Sequence, residues 1–313
     1  MTDISQEFIT NEPLSSHSTF HIGGAAKYFI VVKTNVALIE AIKWAKANQT
    51  KFLILGGGSN ILFSDAGFDG LVIKNQANHL EVRDDTIFCE GGVNLGQILA
   101  SSINRGLTGL EWMVRLPGTV GGAVRGNAGH LAVSVRDVLT EVTVYNYETD
   151  EKFILTNNEC GFGYRTSRFK DEPLVVLSAT FAVQLADSDN VRAKIIEDLS
   201  VLVKQQPPDP SAGCTFKNIQ MADYPEFDHT VLTEAETVGA YRNGKLSTAW
   251  LIDREGFKGK KIGGARVSEM HASYIINTEK KATASDVLML ISLIKQRIRT
   301  QYGVQLLEEI IIL

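Results

Sequence analysis

Two glycine-rich segments, each entered from a strand-like run, place the strongest constraint on how this chain folds. The first, LGGGSN, occupies residues 55–60, and the second, PGTVGGAVRGNAG, occupies residues 117–129. Glycine lets backbone N–H groups approach an anion closely and adopts positive φ without steric cost. Ser59 and Asn60 add side-chain hydrogen-bonding groups. The segments therefore predict either a pair of tight turns or a binding site for a diphosphate.

Neither segment matches a familiar nucleotide motif. No Gly-Lys-Ser/Thr follows the glycines, which excludes a Walker A loop, and neither segment has the G-x-G-x-x-G spacing that opens a Rossmann helix. Spacing alone therefore does not name the ligand.

Apolar periodicity predicts a β-α-β unit around the first segment. The strand-like runs YFIVV (28–32) and FLIL (52–55) flank a helical pattern, and Thr34 is placed to cap that helix. Further along, the pattern changes to strand pairs, one with a turn at Asp84 and Asp85, interrupted by a single helix. This order of elements indicates a mixed α+β chain.

The second half of the chain shows helical patterns with clear ends. A stripe of apolar residues from Val191 to Leu202 stops at PPDP (207–210), which predicts a domain boundary. A short helix is predicted between Ser247 as cap and Gly256 as stop, and a longer one follows before residue 303. The chain then ends in a predicted strand.

Composition excludes several classes of protein. The chain has 31 basic and 36 acidic residues, a net charge of -5 that argues against a general nucleic-acid binder. No apolar run reaches the roughly 18 residues that a membrane span needs. Cys89, Cys160 and Cys214 are scattered, which fits neither a disulfide framework nor a zinc site. We expect a soluble cytoplasmic protein without a metal, in which Cys214 is a free thiol.

Seven segments stand in a fixed order along nearly the whole chain. They are STFHIGG (18–24), LGGGSN (55–60), LPGTVGGAVRGNAG (116–129), FGYRTSRFK (162–170), SAGCTFKN (211–218), KKIGGARVSEMHASYIIN (260–277) and GVQLLEEI (303–310). In this order they resemble the bacterial UDP-N-acetylenolpyruvoylglucosamine reductases, the MurB family. Without an extra tyrosine-bearing insertion after the YR segment, the chain is similar to the shorter of the family's two types.

The resemblance implies an α+β protein with a vanillyl-alcohol-oxidase-type (PCMH-like) FAD-binding fold of two lobes and a C-terminal α+β substrate-binding domain. We place the first lobe at residues 1–70, the second at 71–206 and the substrate-binding domain at 207–303. Residues 304–313 are then expected to return to the FAD lobes as a terminal strand that carries Glu309.

The resemblance also implies noncovalent FAD, with NADPH as co-substrate. In the family, reduced flavin converts UDP-N-acetylglucosamine enolpyruvate to UDP-N-acetylmuramate, a peptidoglycan precursor. We expect a monomer or weak homo-oligomer with no nucleic-acid or membrane partner, and FAD along the two glycine-rich segments. The predicted FAD contacts are Gly56, Gly57, Gly58, Ser59, Asn60, Pro117, Gly118, Thr119, Gly121, Gly122, Asn127 and Gly129.

Three residues match the family's catalytic positions. Hydride attack pushes negative charge toward the substrate carboxylate, so the site needs a fixed cation. Arg165 matches the family arginine that serves this need, and its planar guanidinium suits a carboxylate. Glu309 matches the family glutamate near the C-terminus, whereas Glu308 is rejected because neighbouring strand residues face opposite sides. Outside these motifs, the arginine would be a surface ion-pair partner and the acids solvated surface.

Cys214 occupies the position where the usual family motif has a proton-donating serine. A thiol with an ordinary pKa of about 8.5 is a stronger acid than an alcohol, so a neutral Cys214 is predicted to protonate the substrate carbon. The alternative is a small buried residue, the common fate of a free cysteine.

Four further residues of the motifs complete the predicted site. Tyr164, Lys217 and Asn218 are predicted to bind substrate. His271 is expected to be a hydrogen-bonded structural histidine, with proton transfer as its alternative role.

Two other functions stay open at this point. A related FAD-dependent oxidase of a hydroxy acid or alcohol would be reduced by its own substrate and would be indifferent to NADPH. A non-catalytic descendant would bind FAD or a UDP-sugar without turnover, and the cysteine at position 214 is the feature that favours it.

Overall fold

The computed structural model describes residues 4–130 and 133–313. The chain divides into two compact units: unit 1 comprises Met1–Glu12, Ala26–Gly57 and Phe68–Leu202, and unit 2 comprises Pro13–Ala25, Gly58–Gly67 and Val203–Leu313. Unit 2 therefore includes two stretches that we predicted within the first lobe. Residues 1–3 and 131–132 of the predicted lobes lie outside the described residues.

Helices and strands alternate along much of the chain. The α-helices are α1 Asn35–Ala47, α2 Leu95–Asn104, α3 Val120–Gly126, α4 Val135–Val138, α5 Ser188–Gln205, α6 His229–Thr237, α7 Thr248–Arg254 and α8 Ala284–Tyr302. Short 3₁₀ helices lie at Ile4–Glu7, Leu14–His17, Glu111–Met113, Asn157–Cys160, Arg168–Lys170, Met221–Asp223 and Thr278–Lys280. Within the described part of the chain, no helix combines the length and apolarity needed to span a membrane.

The long strands all lie mainly in unit 1, which also contains several short ones. In chain order they are β1 Ile9–Pro13, β2 Ala25–Val32, β3 Phe52–Leu55, β4 Ile61–Leu62, β5 Phe68–Asn75, β6 Leu80–Val82, β7 Thr86–Glu90, β8 Leu107–Thr108, β9 Gly129–His130, β10 Val133–Ser134, β11 Leu139–Asn146, β12 Glu151–Thr156, β13 Leu174–Ala182, β14 Gln184–Leu185, β15 Ile219–Gln220, β16 Tyr241–Arg242, β17 Lys245–Leu246, β18 Lys261–Ile262, β19 Ala265–Val267, β20 Ile275–Asn277 and β21 Ile311–Ile312.

Unit 1 opens with the predicted β-α-β unit. β2 and β3 both run parallel to β5, in a sheet of order β1-β2-β5-β3. The Thr34 hydroxyl accepts from the Ala37 N–H at 3.1 Å and caps α1, as predicted. The apolar face of α1, including Leu38 and Ile42, is fully buried against residues of β2 and β5. The helix therefore covers one face of the parallel sheet that leads into the first glycine-rich segment.

A five-stranded antiparallel sheet, of order β12-β11-β13-β7-β6, forms the rest of unit 1's core. Asp84 and Asp85 lie between β6 and β7, where the turn was predicted. β13 is buried along most of its length, and Val191, Ile195 and Leu202 of α5 pack in the same core as predicted from their helical spacing. These patterns confirm the mixed α+β prediction.

Unit 2 combines small antiparallel sheets with helices α6, α7 and α8. The Ser247 hydroxyl accepts from the Trp250 N–H at 3.3 Å and caps α7, and Gly256 follows the helix with φ of 70°. The predicted apolar stripe of α8 is buried from Val287 to Ile298. The C-terminal strand that we predicted is broken into two pairings: Glu308 forms an isolated antiparallel bridge with Phe216, and the short β21 pairs in parallel with β4.

Candidate active site

The two glycine-rich segments meet within unit 1. A Cβ atom placed on Gly57 would lie 2.9 Å from the Cα atom of Gly118, and one on Gly56 would collide with the Thr119 hydroxyl. Only glycine allows the two backbones to come so close. This contact brings together predicted cofactor residues of both segments within unit 1.

The first segment continues into unit 2 at Gly58. Gly58 has φ of 67°, and any Cβ there would collide with the His17 carbonyl. The Gly58 carbonyl accepts from the Thr19 N–H at 3.1 Å. This residue therefore has to be glycine for a local reason, while Ser59 and Asn60 beside it are at least partly accessible.

The second segment is partly helical, which its glycine-rich motif did not predict. Gly121 and Gly122 lie inside α3, and Asn127 ends that helix in the left-handed conformation with φ of 42°. The Asn127 side chain donates to the Gly163 carbonyl at 2.8 Å and accepts from the Arg136 N–H at 3.0 Å. These bonds give Asn127 a structural role beside its predicted contact with FAD.

Arg165 is bound to the same glycine-rich segment. Its Nη2 donates to the Gly129 carbonyl at 2.7 Å, and the Ser167 hydroxyl donates to the Arg125 carbonyl at 2.7 Å. With the Asn127 bond to Gly163, three hydrogen bonds join the GYRTS motif to residues 125–129. The structure therefore brings the predicted catalytic arginine and the second glycine-rich segment together within unit 1.

Arg165 adopts an uncommon backbone conformation and influences its neighbours. Its φ of 54° lies in the left-handed region, which costs free energy for a non-glycine residue and is concentrated at functional sites. The guanidinium lies over the ring of Tyr164, 5.8 Å from the ring centroid. Burial, and then the positive charge of Arg165, lower the pKa of His130, with Asp198 opposing them.

Cys214 is half-buried in unit 2 and is not part of a disulfide, whereas Cys89 and Cys160 are buried. It forms an isolated antiparallel bridge with Tyr274, and the next residue, Thr215, donates its N–H to the Ser273 carbonyl at 2.7 Å. The half-buried state does not match the alternative of a cysteine enclosed in the core. Part of the residue is therefore exposed.

The C-terminal acids pair with the segment that carries Cys214. The Glu309 N–H donates to the Thr215 carbonyl at 2.8 Å, and the Lys217 N–H donates to the Leu307 carbonyl at 2.9 Å. Glu308 forms an ion pair with Lys295 at 2.6 Å. The structure therefore brings the backbone of Glu309 against Thr215, the residue after Cys214, and gives Glu308 a separate partner.

The other predicted residues of unit 2 lie on the same segment or next to it. Lys217 is half-buried, and its carbonyl accepts from the Thr248 hydroxyl at 2.6 Å. The Asn218 side chain accepts from the Thr248 N–H at 3.3 Å. Burial, and then the charge of Lys258, lower the pKa of His271, so this imidazole is uncharged at neutral pH.

Two features of the site escaped prediction from the sequence. α3 was missed because glycines in the motif read as a loop, although its Val and Ala residues carry a helical stripe. The pairing of Tyr274 with Cys214 was missed because the two residues are far apart in the chain, and only an alternating pattern around residues 214–217 hinted at an extended segment.

Comparisons with known proteins match both parts of the chain. An FAD binding domain model matches residues 26–151, and a model described as the UDP-N-acetylenolpyruvoylglucosamine reductase C-terminal domain matches residues 203–313. The UDP-N-acetylenolpyruvoylglucosamine reductase of Carboxydothermus hydrogenoformans is 37% identical, with 99% of this chain and 95% of the relative covered. That of Caldanaerobacter subterraneus is 35% identical, covering 96% and 91%.

The chain belongs to the UDP-N-acetylenolpyruvoylglucosamine reductase family. The crystal structure of the Thermus caldophilus reductase (MurB) superposes with a TM-score of 0.76 at 26% identity, covering 98% of each chain. The predicted family, the FAD-binding fold with a C-terminal domain and the FAD-dependent oxidoreductase class are thus confirmed. The roles of individual reductase residues stay predictions.

Proposed function

We propose that this protein uses NADPH to reduce the enolpyruvyl double bond of UDP-N-acetylglucosamine enolpyruvate, giving UDP-N-acetylmuramate for peptidoglycan synthesis. The observation that carries the proposal is the match of the reductase C-terminal model to residues 203–313, the stretch that contains both Cys214 and Glu309. The names of the relatives support the same reaction. Cytoplasmic location and a monomeric or weakly oligomeric state stay predictions.

The glycine-rich segments are the groups that would hold FAD. Gly56, Gly57, Gly118 and Thr119 would present backbone groups from unit 1. The contacts of Ser59 and Asn60 with FAD stay predictions from the motif. When bound, FAD supplies the hydride that the substrate receives. The close approach of Gly57 and Gly118 supports this assignment, because it places backbone groups of both segments side by side.

Arg165 would bind the substrate carboxylate and stabilise the negative charge that develops on it. The hydrogen bond from Arg165 Nη2 to the Gly129 carbonyl holds the guanidinium in place, and its planar shape suits a carboxylate. A preorganised cation costs no rearrangement during the reaction. We assign Glu309 to the same half-reaction.

Cys214 would supply the proton. The S–H bond breaks as the new C–H bond forms on the substrate, and the thiolate that remains takes a proton from solvent before the next turnover. This role requires a neutral thiol, unlike nucleophilic catalysis, which requires the thiolate. The half-buried position of Cys214 supports a thiol that substrate can reach.

The test is an anaerobic titration of the purified protein followed in the visible spectrum. We expect yellow protein with noncovalent FAD, bleaching by NADPH, and recovery of the colour when UDP-N-acetylglucosamine enolpyruvate is added. A hydroxy-acid or alcohol oxidase would ignore NADPH and bleach with its own substrate. A binding protein would bleach slowly or stay yellow, and colourless protein that cannot be reconstituted with FAD would end the proposal.

A further inference from the structure

Tyr274 and Cys214 form a close pair between two backbone segments of unit 2. They are bridge partners, and the hydrogen bond nearest to them joins the Thr215 N–H to the Ser273 carbonyl at 2.7 Å. This bond links residues adjacent to the pair, so Cys214 and Tyr274 are a non-hydrogen-bonded antiparallel pair. Such pairs bring the two Cα atoms to about 4.5 Å and point both side chains to the same face.

The backbone of Tyr274 is held by other bonds. Its N–H donates to the His271 carbonyl at 2.9 Å, and its carbonyl accepts from the Ser268 N–H at 2.9 Å. Residues 271–274 therefore form a tight turn whose last residue faces Cys214. The position of Tyr274 is set by its own segment and does not depend on the thiol.

The Tyr274 ring is also supported from one side. It meets the His271 imidazole edge to face, with ring centroids 5.0 Å apart and planes at 75°. His271 is half-buried, and burial and then the charge of Lys258 lower the pKa of its imidazole, which favours the uncharged form at neutral pH. An uncharged, packed imidazole limits the rotation of the phenol ring that rests on it.

We propose that Tyr274 is a positioning residue for the Cys214 thiol: its ring covers one side of the sulfur and restricts the side chain to the rotamer that presents the thiol to substrate. The inference rests on the proposed role of Cys214 as proton donor. It concerns the aromatic ring, since the cross-strand pairing places the ring, and not the hydroxyl, beside the cysteine.

The experiment measures how fast iodoacetamide alkylates Cys214 in the FAD-loaded enzyme without substrate, with the modified cysteine identified by mass spectrometry. We expect Tyr274→Ala to react about tenfold faster than the parent, because the sulfur is uncovered, and Tyr274→Phe to react at the parent rate. Buried Cys89 and Cys160 are internal references, and Tyr241→Ala is a control tyrosine in the same unit that should leave Cys214 unchanged.

A second readout follows the enzyme reduced by NADPH after mixing with substrate. Tyr274→Ala should slow the return of colour at least about tenfold, as expected for a misplaced donor, and Tyr274→Phe should restore the rate. If the Ala variant loses FAD, Tyr274→Leu replaces it. Faster alkylation of Cys214 in Tyr274→Leu than in Tyr274→Phe then supports the inference.

Equal alkylation of the Ala or Leu variant and the parent would overturn the inference. So would a Phe variant that reacts like Ala, since the hydroxyl would then be responsible. If the parent does not turn over the substrate at all, the proposed function fails, and the alkylation rates still decide the role of Tyr274.

Discussion

Asn60 donates its side-chain amide to the Glu309 carbonyl at 3.1 Å, and its own carbonyl accepts from the Ile311 N–H at 2.9 Å. The first glycine-rich segment thus holds the backbone around the C-terminal acid on both sides. Since Glu309 also bonds Thr215, the fold of unit 2 joins three predicted site segments that are widely separated in the sequence. A matched pair of acids tests whether this arrangement serves catalysis.

Glu309→Gln and Glu308→Gln should differ sharply. We expect Glu309→Gln to slow flavin reoxidation by substrate about 10²-fold or more, the usual effect of losing a group that handles a proton or developing charge. Glu308→Gln breaks only the ion pair with Lys295, which costs up to about 1 kcal/mol of stability. Rapid mixing and thermal unfolding separate the two effects, and equal reoxidation rates would remove Glu309 from the site.

Arg165→Ala should affect the second half-reaction and leave the first unchanged. Losing a donor to the developing negative charge slows reoxidation by about 10²-fold or more, while FAD content and reduction by NADPH stay at the parent level. Arg83→Ala is the control, because Arg83 is a surface cation paired with Glu81 at 3.1 Å. Reoxidation at the parent rate would reduce Arg165 to a structural cation that holds the Gly129 carbonyl.

Gly57→Ala should weaken FAD binding about tenfold or more, about 1.4 kcal/mol, because the added methyl group meets the Gly118 backbone. Gly96→Ala is the matched control: Gly96 is exposed in α2 with no atom within 4 Å of the added methyl group, and the change should stabilise the helix by about 0.5–1 kcal/mol. Titration of the apoprotein with FAD measures the affinity of both variants, and thermal unfolding measures the stability of Gly96→Ala. Unaltered affinity in Gly57→Ala would place the cofactor elsewhere.

The sequence predicts local structure well where one physical cause dominates. Thr34 and Ser247 cap their helices as expected because a hydroxyl at an N-cap satisfies a free N–H within three residues. The buried stripe of α8 follows from its 3.6-residue period. Both depend only on neighbours in the chain.

Long-range pairing limits what the sequence predicts of the site. α3 was missed because its glycines disfavour a helix locally, and contacts with the surrounding sheet override that preference. The C-terminal strand was predicted too long. The backbone after residue 304 forms hydrogen bonds first with Thr215 and then with Asn60, and no local sequence pattern indicates this change of partner. The motif resemblance, and not periodicity, identified Arg165, Cys214 and Glu309.

Glu111 should contribute stability that depends on pH. Burial alone would raise the pKa of this carboxyl, but hydrogen bonds from the Thr108 hydroxyl and the Gly109 N–H, with the charge of Lys194, hold the pKa below its ordinary value. A lowered folded-state pKa stabilises the protein above the unfolded pKa of about 4.3, and the contribution is lost as the pH falls through the folded value.

Thermal midpoints measured between neutral pH and about pH 3.5 test this contribution. The parent should lose stability at the acid end more steeply than Glu111→Gln, while the exposed control Glu148→Gln should follow the parent. If the thermal midpoints of the parent and Glu111→Gln fall equally as the pH is lowered, the ionisation of Glu111 does not contribute to stability.

The most direct test of the account is the pH dependence of flavin reoxidation in Cys214 variants, measured by mixing NADPH-reduced enzyme with UDP-N-acetylglucosamine enolpyruvate. We expect the parent rate to fall above about pH 8.5, where an ordinary thiol ionises. Cys214→Ser should keep measurable activity without that decline, and Cys214→Ala should be reduced normally by NADPH yet stall before reoxidation. A Cys214→Ala enzyme that reoxidises at the parent rate with the parent pH profile would contradict the assignment of Cys214 as the proton donor.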